Sequence, residues 1–424
     1  MTRTLEKKSN YTTEQTAAIL HHDRQNFSDW RNPELRNILL KGQDFHVTER
    51  VANETLSAGL VVAVWGDRHD ETTLTKAVNE HVEFMEREFG RTPTGDDMTG
   101  RTGFTENYWT RAVTKSELLP LQVAVGVEMA KAAVEKSGLK PDEITKIKKL
   151  RLAVSAPASL LLARYIAEEL GIEDYEIVSA ACNSFARAIE QGINEAETPN
   201  ELSLTLGIET MMAMRWPMSS EWQGTTNKTA LSFFSDGAVA FVGKLGRFRK
   251  LFEVKHEEKD TAGALAAINT AGLAGAHISE LEWDSEFGTV VELPIPPNGE
   301  AMNMKARETT EFFIKFIRTL TDKFKSDGGE DFLKKELPTK FYKRIKAIGH
   351  RPSRKLREKF ARELEKLGLP EGLFEWNGNY GNGPCIIWGH EMAGILESLQ
   401  PGDILLQYFF GGGATGQIRF DEII

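Results

Sequence analysis

The same order of signals occurs twice along this 424-residue chain, and that repetition constrains the fold more than any single motif. In the first half an apolar run at Tyr175–Val178 stops at a small-residue pair, Ala180-Ala181, and Cys182 follows. A helical pattern then begins, with Phe185, Ile189 and Ile193 four residues apart. Later, Phe233-Phe-Ser-Asp-Gly-Ala238 turns into a strand pattern ending at Val242. In the second half a short strand, Ile345 to Ile348, ends at Gly349-His350, and a helical pattern carries Leu356, Phe360, Leu364 and Leu367 before Gly368. Pro352 fits the first turn of that helix. Strand Ile404 to Tyr408 then runs into Phe410-Gly-Gly-Gly413 and a closing strand, Gln417 to Phe420. Strands alternating with helices imply α/β layering, and the repeated order implies two related halves.

Residues 1–57 are polar with isolated apolar anchors such as Leu35, Ile38 and Leu39, and read as an N-terminal extension with some helix. The compact fold is expected to begin at Leu60-Val-Val-Ala-Val-Trp65, giving a first half over 58–245 and a second over 246–424. The pattern predicts helices over 74–89, 119–137 and 160–170, with Gly138 as the C-cap of the second. Strands are expected at 150–156, 176–179 and 202–208. A long helix over 306–324 precedes a charged linker.

Composition excludes several classes. Lys plus Arg number 52 against 62 Asp plus Glu, and the resulting charge of −10 disfavours nucleic acid as a general partner. No apolar run approaches the roughly 18–20 residues that span a bilayer, so no membrane partner is expected. The first ten residues lack the apolar core of a signal peptide. Two cysteines fit a reducing, cytoplasmic setting without structural disulfides. His21, His22, His46, His69, His81, His256 and His277 form no metal-spaced cluster, and no metal site is expected.

Three residues carry the chemistry. Cys182 falls where a strand hands over to a helix, and there unpaired N–H groups and the positive end of the helix dipole favour a thiolate. His350 follows a short strand, and Asn382 lies in Tyr380-Gly-Asn-Gly383, a strong turn sequence. Taken singly, these read as a small buried thiol, a capping residue and a turn residue. Together, a cysteine with a distant histidine and asparagine is a nucleophile signature. Cys385 and His390 read as structural.

At these residues the chain resembles the thiolase-like condensing enzymes, most closely ketoacyl synthase III. The family's Ala-Cys-x-x-Phe nucleophile turn is matched by Ala181-Cys182-Asn-Ser-Phe185, and its Pro-His-Gln-Ala-Asn segment loosely by Gly349-His350-Arg-Pro-Ser353. Gly381-Asn382-Gly-Pro384 stands for Gly-Asn-Thr-Ser, and Phe234-Ser-Asp-Gly-Ala238 for Phe-Gly-Asp-Gly-Ala. Phe410-Gly-Gly-Gly413 matches the closing glycine turn, and Arg101-Thr-Gly103 an early Arg-Thr-Gly. The six matches fall in the family's order from about residue 58 to the end.

The resemblance implies a thiolase-like fold of two similar α/β halves in layered helix and sheet arrangement, as a homodimer. It implies that Cys182 takes an acyl group from a coenzyme A or carrier-protein thioester. Decarboxylative Claisen condensation with a malonyl-type extender follows, assisted by His350 and Asn382. The Cys182 N–H and Gly412 would form the oxyanion hole, Arg101 would contact the cofactor portion of the thioester, and no cofactor would be tightly bound.

Departures from the pattern refine this. The tryptophan preceding Arg-Thr-Gly is replaced at about Asp97, which shifts weight from free coenzyme A to a carrier-protein donor. Arg351-Pro-Ser replaces Gln-Ala-Asn, and Thr-Trp-Gly is reduced to Thr415-Gly416, as in a divergent branch serving fatty-acid-like or secondary metabolism. From Lys340 to Lys366 eleven Lys/Arg stand against three Glu, a concentration suited to an acidic acyl carrier protein or a phosphopantetheine phosphate. Transfer to an amine, alcohol or aromatic acceptor without decarboxylation, or a non-catalytic partner subunit, are the other readings. A degradative thiolase is disfavoured by the missing second catalytic cysteine.

Overall fold

The run Ala58–Val64 is apolar on both faces and forms β2, every residue of it buried. A strand buried on both faces needs a layer on each side. In the computed structural model β2 lies in a six-stranded sheet, which it shares with β1 (His46–Asn53), β5 (Lys149–Val154), β6 (Asp174–Val178), β7 (Leu202–Glu209) and β8 (Gly237–Lys244). The order across this sheet is β1-β2-β8-β7-β5-β6. The structure describes residues 13–155, 157–178, 181–216, 226–257, 291–292, 303–304, 306–337, 339–370, 372–373, 380–383, 385–411 and 415–424.

A second sheet holds β9 (Phe248–Glu257), β12 (Ile345–Gly349), β13 (Ile404–Gly411) and β14 (Thr415–Ile423), in the order β12-β13-β14-β9. Two short ribbons complete the strands: β3 (Asp67–His69) with β4 (Asn107–Trp109), and β10 (Val291–Glu292) with β11 (Asn303–Met304).

The four strands of the second sheet repeat the four central strands of the first. In the first, β2 pairs antiparallel with β8, β8 antiparallel with β7, and β7 parallel with β5. In the second, β9, β14, β13 and β12 pair antiparallel, antiparallel and parallel in the same sequence. The doubled pattern in the sequence is therefore a doubled topology.

Helices fill the spaces in five layers. On the outer face of the first sheet lie α4 (Lys115–Lys136) and α5 (Leu162–Leu170). Between the sheets lie α6 (Ser184–Glu195) and α11 (Ile387–Ala393). On the outer face of the second sheet lie α8 (Ala306–Ser326) and α10 (Arg354–Glu365). The alternation of strand side chains sorts them accordingly. Leu60 and Val62 of β2 enter the central core with Phe185, Ile189 and Trp388, whereas Val61 and Ala63 face the outer core with α4. On β13, Leu405 and Phe409 point to the centre and Leu406, Tyr408 and Phe410 to the outside. The remaining helices are α1 (Thr13–Asn26), α2 (Pro33–Gly42), α3 (Glu71–Phe89), α7 (Lys228–Phe233) and α9 (Gly329–Lys335).

Several expectations are met in place. Gly138 takes the left-handed conformation (φ 80°) just past α4, as a helix stop requires. Others are corrected. The segment before residue 58 is more than an extension, because β1 pairs along β2 from His46 to Asn53 and Asn53 donates to the carbonyls of Leu396 and Leu399. Pro352 precedes the N-cap of α10, since Ser353 caps the helix by accepting from the Leu356 N–H. The strand before Cys182 is an edge strand, only partly buried. The charged linker after α8 contains the short helix α9. Among the described residues, no helix is long and apolar enough to cross a membrane.

Candidate active site

β6 ends at Val178, and Cys182 lies in the single tight turn Ala181–Asn183 that passes directly into α6. Its N-cap residue, Asn183, makes no side-chain cap, so the positive end of the α6 dipole acts beside the half-buried sulfur. The turn packs against β13 and β14 of the second sheet, which puts Cys182 at the junction of the halves. Asn183 is fully buried, and neither its amide oxygen nor its nitrogen has a partner among the described residues.

His350 is the first residue past β12. Parallel pairing sets Gly349 opposite Tyr408 of β13, and the His350 N–H donates to the Tyr408 carbonyl at 2.9 Å. Its ring lies 4.3 Å from the ring of Phe410 and 5.8 Å, edge-on, from that of Phe313. The side chain is completely excluded from solvent. Burial pulls the imidazole pKa down to about 3, and the guanidinium groups of Arg357 and Arg351 act the same way. The backbone of Phe410 and the side chain of Asn382 lie close enough to favour the charged ring, but neither ring nitrogen has a hydrogen bond of good geometry among the described residues. The imidazole is therefore neutral at physiological pH, with one N–H to donate.

Asn382 comes to the same place from the other side. Its N–H donates to the Phe233 carbonyl and its carbonyl accepts from the Ser235 N–H, both at 3.1 Å, so the turn is stitched to the Phe234-Ser-Asp-Gly-Ala segment. That segment is itself fixed by Asp236, whose buried carboxylate accepts from the N–H groups of Thr110 (3.1 Å) and Met212 (2.9 Å). Burial pushes the Asp236 carboxyl up to about 6. A Cβ on Gly381 would meet Asn107 Oδ1 and lie 2.9 Å from Ser235 Cβ, so the close packing here favours glycine. Asn382 is buried and its Oδ1 has no partner among the described residues. Unpartnered buried polar atoms on Asn183, His350 and Asn382 mark a polar site that a ligand's hydrogen-bonding groups would complete.

The structure thus brings Cys182, His350 and Asn382 to the junction between the halves. Gly412 lies outside the described residues. Arg101 is exposed, in a turn whose Thr102 carbonyl accepts from the Arg354 N–H at 2.8 Å. The first turn of basic helix α10 is therefore tied to the Arg101-Thr-Gly turn. Asp97, at the position expected for a tryptophan, accepts from Ser232 Oγ at 3.0 Å. Two of the eleven basic residues are not on the surface: Arg351 and Arg357 are buried against Glu391. These three, with Asn183, were not distinguishable by pattern. Cys385, read as structural, is fully buried, as is the ring of His390, stacked 4.4 Å from that of Tyr380.

The double topology, with a cysteine turn feeding a helix between the sheets, defines a thiolase-like fold. Solved structures agree along nearly the whole chain. 3-Oxoacyl-(acyl-carrier-protein) synthase III from Aquifex aeolicus VF5 is similar at TM-score 0.53 and 16% identity, covering 89% of this chain and all of the other. FabH from Xanthomonas oryzae gives 0.56 at 14% identity, with 89% and 99% covered. A cysteine-to-alanine variant of Xanthomonas campestris OleA gives 0.58 at 15% identity, with 87% and 96% covered. No protein-family model matches the sequence, and no curated protein matches it.

Proposed function

We propose that this protein is a condensing acyltransferase: an acyl thioester loads Cys182, and the acyl group is joined to a malonyl-type extender. The observation that carries this reading is the neutral, buried His350 beside Asn382, across the half-to-half junction from a cysteine at an uncapped helix start. The likeness to 3-oxoacyl-(acyl-carrier-protein) synthase III supports it at the level of fold.

In the first step the Cys182 thiolate attacks the thioester carbonyl, the oxyanion collapses as the carbon–sulfur bond to the carrier breaks, and the carrier leaves as a thiol with the proton that Cys182 gave up. The N–H groups at the start of α6 suit the oxyanion, and Gly412 would supply the second donor. In the second step the extender's carbon–carboxylate bond breaks and carbon dioxide leaves. The electron pair passes into an enolate, whose oxygen accepts from the His350 N–H and the Asn382 amide. The enolate carbon attacks the acyl-cysteine carbonyl, a carbon–carbon bond forms, and Cys182 departs as thiolate. A neutral imidazole is what this step needs, because its N–H donates to the enolate oxygen without first protonating the enolate carbon.

The exposed basic residues of α10 and Arg101 suit a phosphopantetheine phosphate and an acidic carrier protein as donor. The unpaired edge of β6 suits a homodimer that extends the first sheet across two copies. Intact-protein mass spectrometry with acyl-coenzyme A and acyl-carrier thioesters, beside Cys182→Ala, tests the loading step. A mass gain absent from the variant is expected, and no gain from any donor would overturn the reading.

A further inference from the structure

Glu209 ends β7 with its side chain fully buried, and the chemistry above makes no use of it. Its Oε1 accepts from Ser155 Oγ at 2.9 Å and from the Cys385 N–H at 2.8 Å. Its Oε2 has no hydrogen bond among the described residues. Ser155, one residue beyond β5, also lies 3.5 Å from Cys385 Sγ. Cys385 is three residues past Asn382, and its thiol reaches Ser184, two residues past Cys182. One carboxyl therefore sits where the turn bearing Asn382 and the turn bearing Cys182 meet.

A buried carboxyl with a bare oxygen is costly, and amide or apolar side chains would fill the space more cheaply. Burial pushes this carboxyl up to about 7, aided by the negative charge of Asp236, while the hydrogen bonds from Cys385 and Ser155 oppose the rise. Cys385 and Asp236 are the titratable groups that face it. The Cys385 thiol is held protonated by burial and by Glu209, and cannot itself relay charge near neutrality. The carboxyl therefore changes charge across the neutral range inside a dry site, where a charge acts strongly on its neighbours.

We infer that Glu209 is a positioning residue whose charge sets the reactivity of Cys182. Uncharged, it leaves the positive start of α6 to stabilise the Cys182 thiolate. Ionised, it places a negative charge beneath that turn and opposes thiolate formation. The inference rests on the reading of Cys182 as nucleophile.

The test is the rate of Cys182 alkylation by iodoacetamide in the full chain from pH 5.5 to 9, read by peptide mass spectrometry, for wild type and Glu209→Gln. Glutamine keeps an acceptor for Ser155 and the Cys385 N–H but cannot ionise. The variant is expected to match wild type at pH 5.5 and to react several-fold faster at pH 7.5, with about tenfold as the ceiling that one pKa unit allows below both thiol titrations. Equal rates at pH 7.5 would overturn the inference. Cys385 stays unmodified in folded protein and reports any variant that fails to fold. In that case the wild-type profile decides: a slope below one near pH 7 supports the inference, and a simple one-thiol titration overturns it. Acyl loading measured on the same samples judges the condensing reading separately, because alkylation needs no substrate.

Discussion

Arg357 places its Nη2 2.8 Å from Glu391 Oε2, with both side chains almost wholly out of solvent. The same carboxylate accepts from the Gly349 N–H at 3.2 Å and pairs with Arg351 at 3.1 Å. Arg357 Nη1 in turn donates to the Gly349 carbonyl at 2.7 Å. One carboxylate thus holds the backbone immediately before His350 and pairs with two guanidinium groups from α10 and its lead-in, leaving a net positive charge. Glu391→Ala leaves both cations buried without it, a loss of about 3–5 kcal/mol for a broken buried pair. A clear drop in thermal midpoint is expected, and an unchanged midpoint would show that Arg351 and Arg357 find other partners.

Because burial and those two cations hold the His350 ring near a pKa of 3, the ring does not titrate in the working range. Its C2 proton resonance is expected to stay fixed from pH 5 to pH 8, with the other histidines as internal controls. The linkage sign follows: the unfolded chain binds the proton at about 6.5 and the folded chain does not. This residue therefore lowers stability progressively as pH falls below about 6.5 towards 3. Glu209 and Asp236 work in the opposite sense, since their folded carboxyls hold protons that the unfolded chain releases. They cost stability as pH rises through about 4 to 7. Glu209→Gln is expected to raise the thermal midpoint at pH 8 relative to pH 5.5, compared with the same difference in wild type.

On the proposed reaction, loading and condensation are expected to separate at Gly381. A Cβ at that position collides with Asn107 and displaces the turn that aims Asn382, while the Cys182 turn is untouched. Gly381→Ala is expected to accept an acyl group at the wild-type rate and to lose about 10²-fold in condensation, the effect of removing one enolate donor. Equal losses in both steps would mean that the turn supports Cys182 as well.

The framework was readable because its signals are local. An apolar run, a small-residue stop and a 3.6-residue period around Cys182 belong to contiguous segments, and each half shows the same succession. What escaped depends on distant partners. β1 carries polar residues on a partly exposed edge, and β9 is half charged, with Arg249, Lys250, Glu253, Lys255 and Glu257, so neither shows as an apolar run. Arg351 and Arg357 look like surface charge until Glu391 is placed beside them from α11. Glu209 ends an apolar strand as any solvent-facing residue would, and only the packing of Ser155 and Cys385 over it reveals a buried acid. Asn183 gave one signal, an amide side chain directly after Cys182, but no spacing rule assigns it a partner.

On the proposed reaction, Arg354 and Lys355 offer the most discriminating test of the donor. Arg354 opens α10 with its side chain about two-thirds exposed, paired with Glu358 one turn on at 3.3 Å, and Lys355 beside it is exposed. The backbone of Arg354 is tied to the Arg101-Thr-Gly turn, so these cations lie beside Arg101. Surface charges of this kind contribute little to stability, and they act on encounter with a charged partner. Arg354→Glu with Lys355→Glu should leave the thermal midpoint and the rate at saturating donor unchanged. It should raise the KM for an acidic carrier-protein thioester about tenfold at low salt, with the difference shrinking as ionic strength rises. A free acyl-coenzyme A donor, which presents far less charge to α10, should be affected several-fold less. Equal effects on both donors would place the cations at the shared phosphate, and no effect on either would remove α10 from donor recognition.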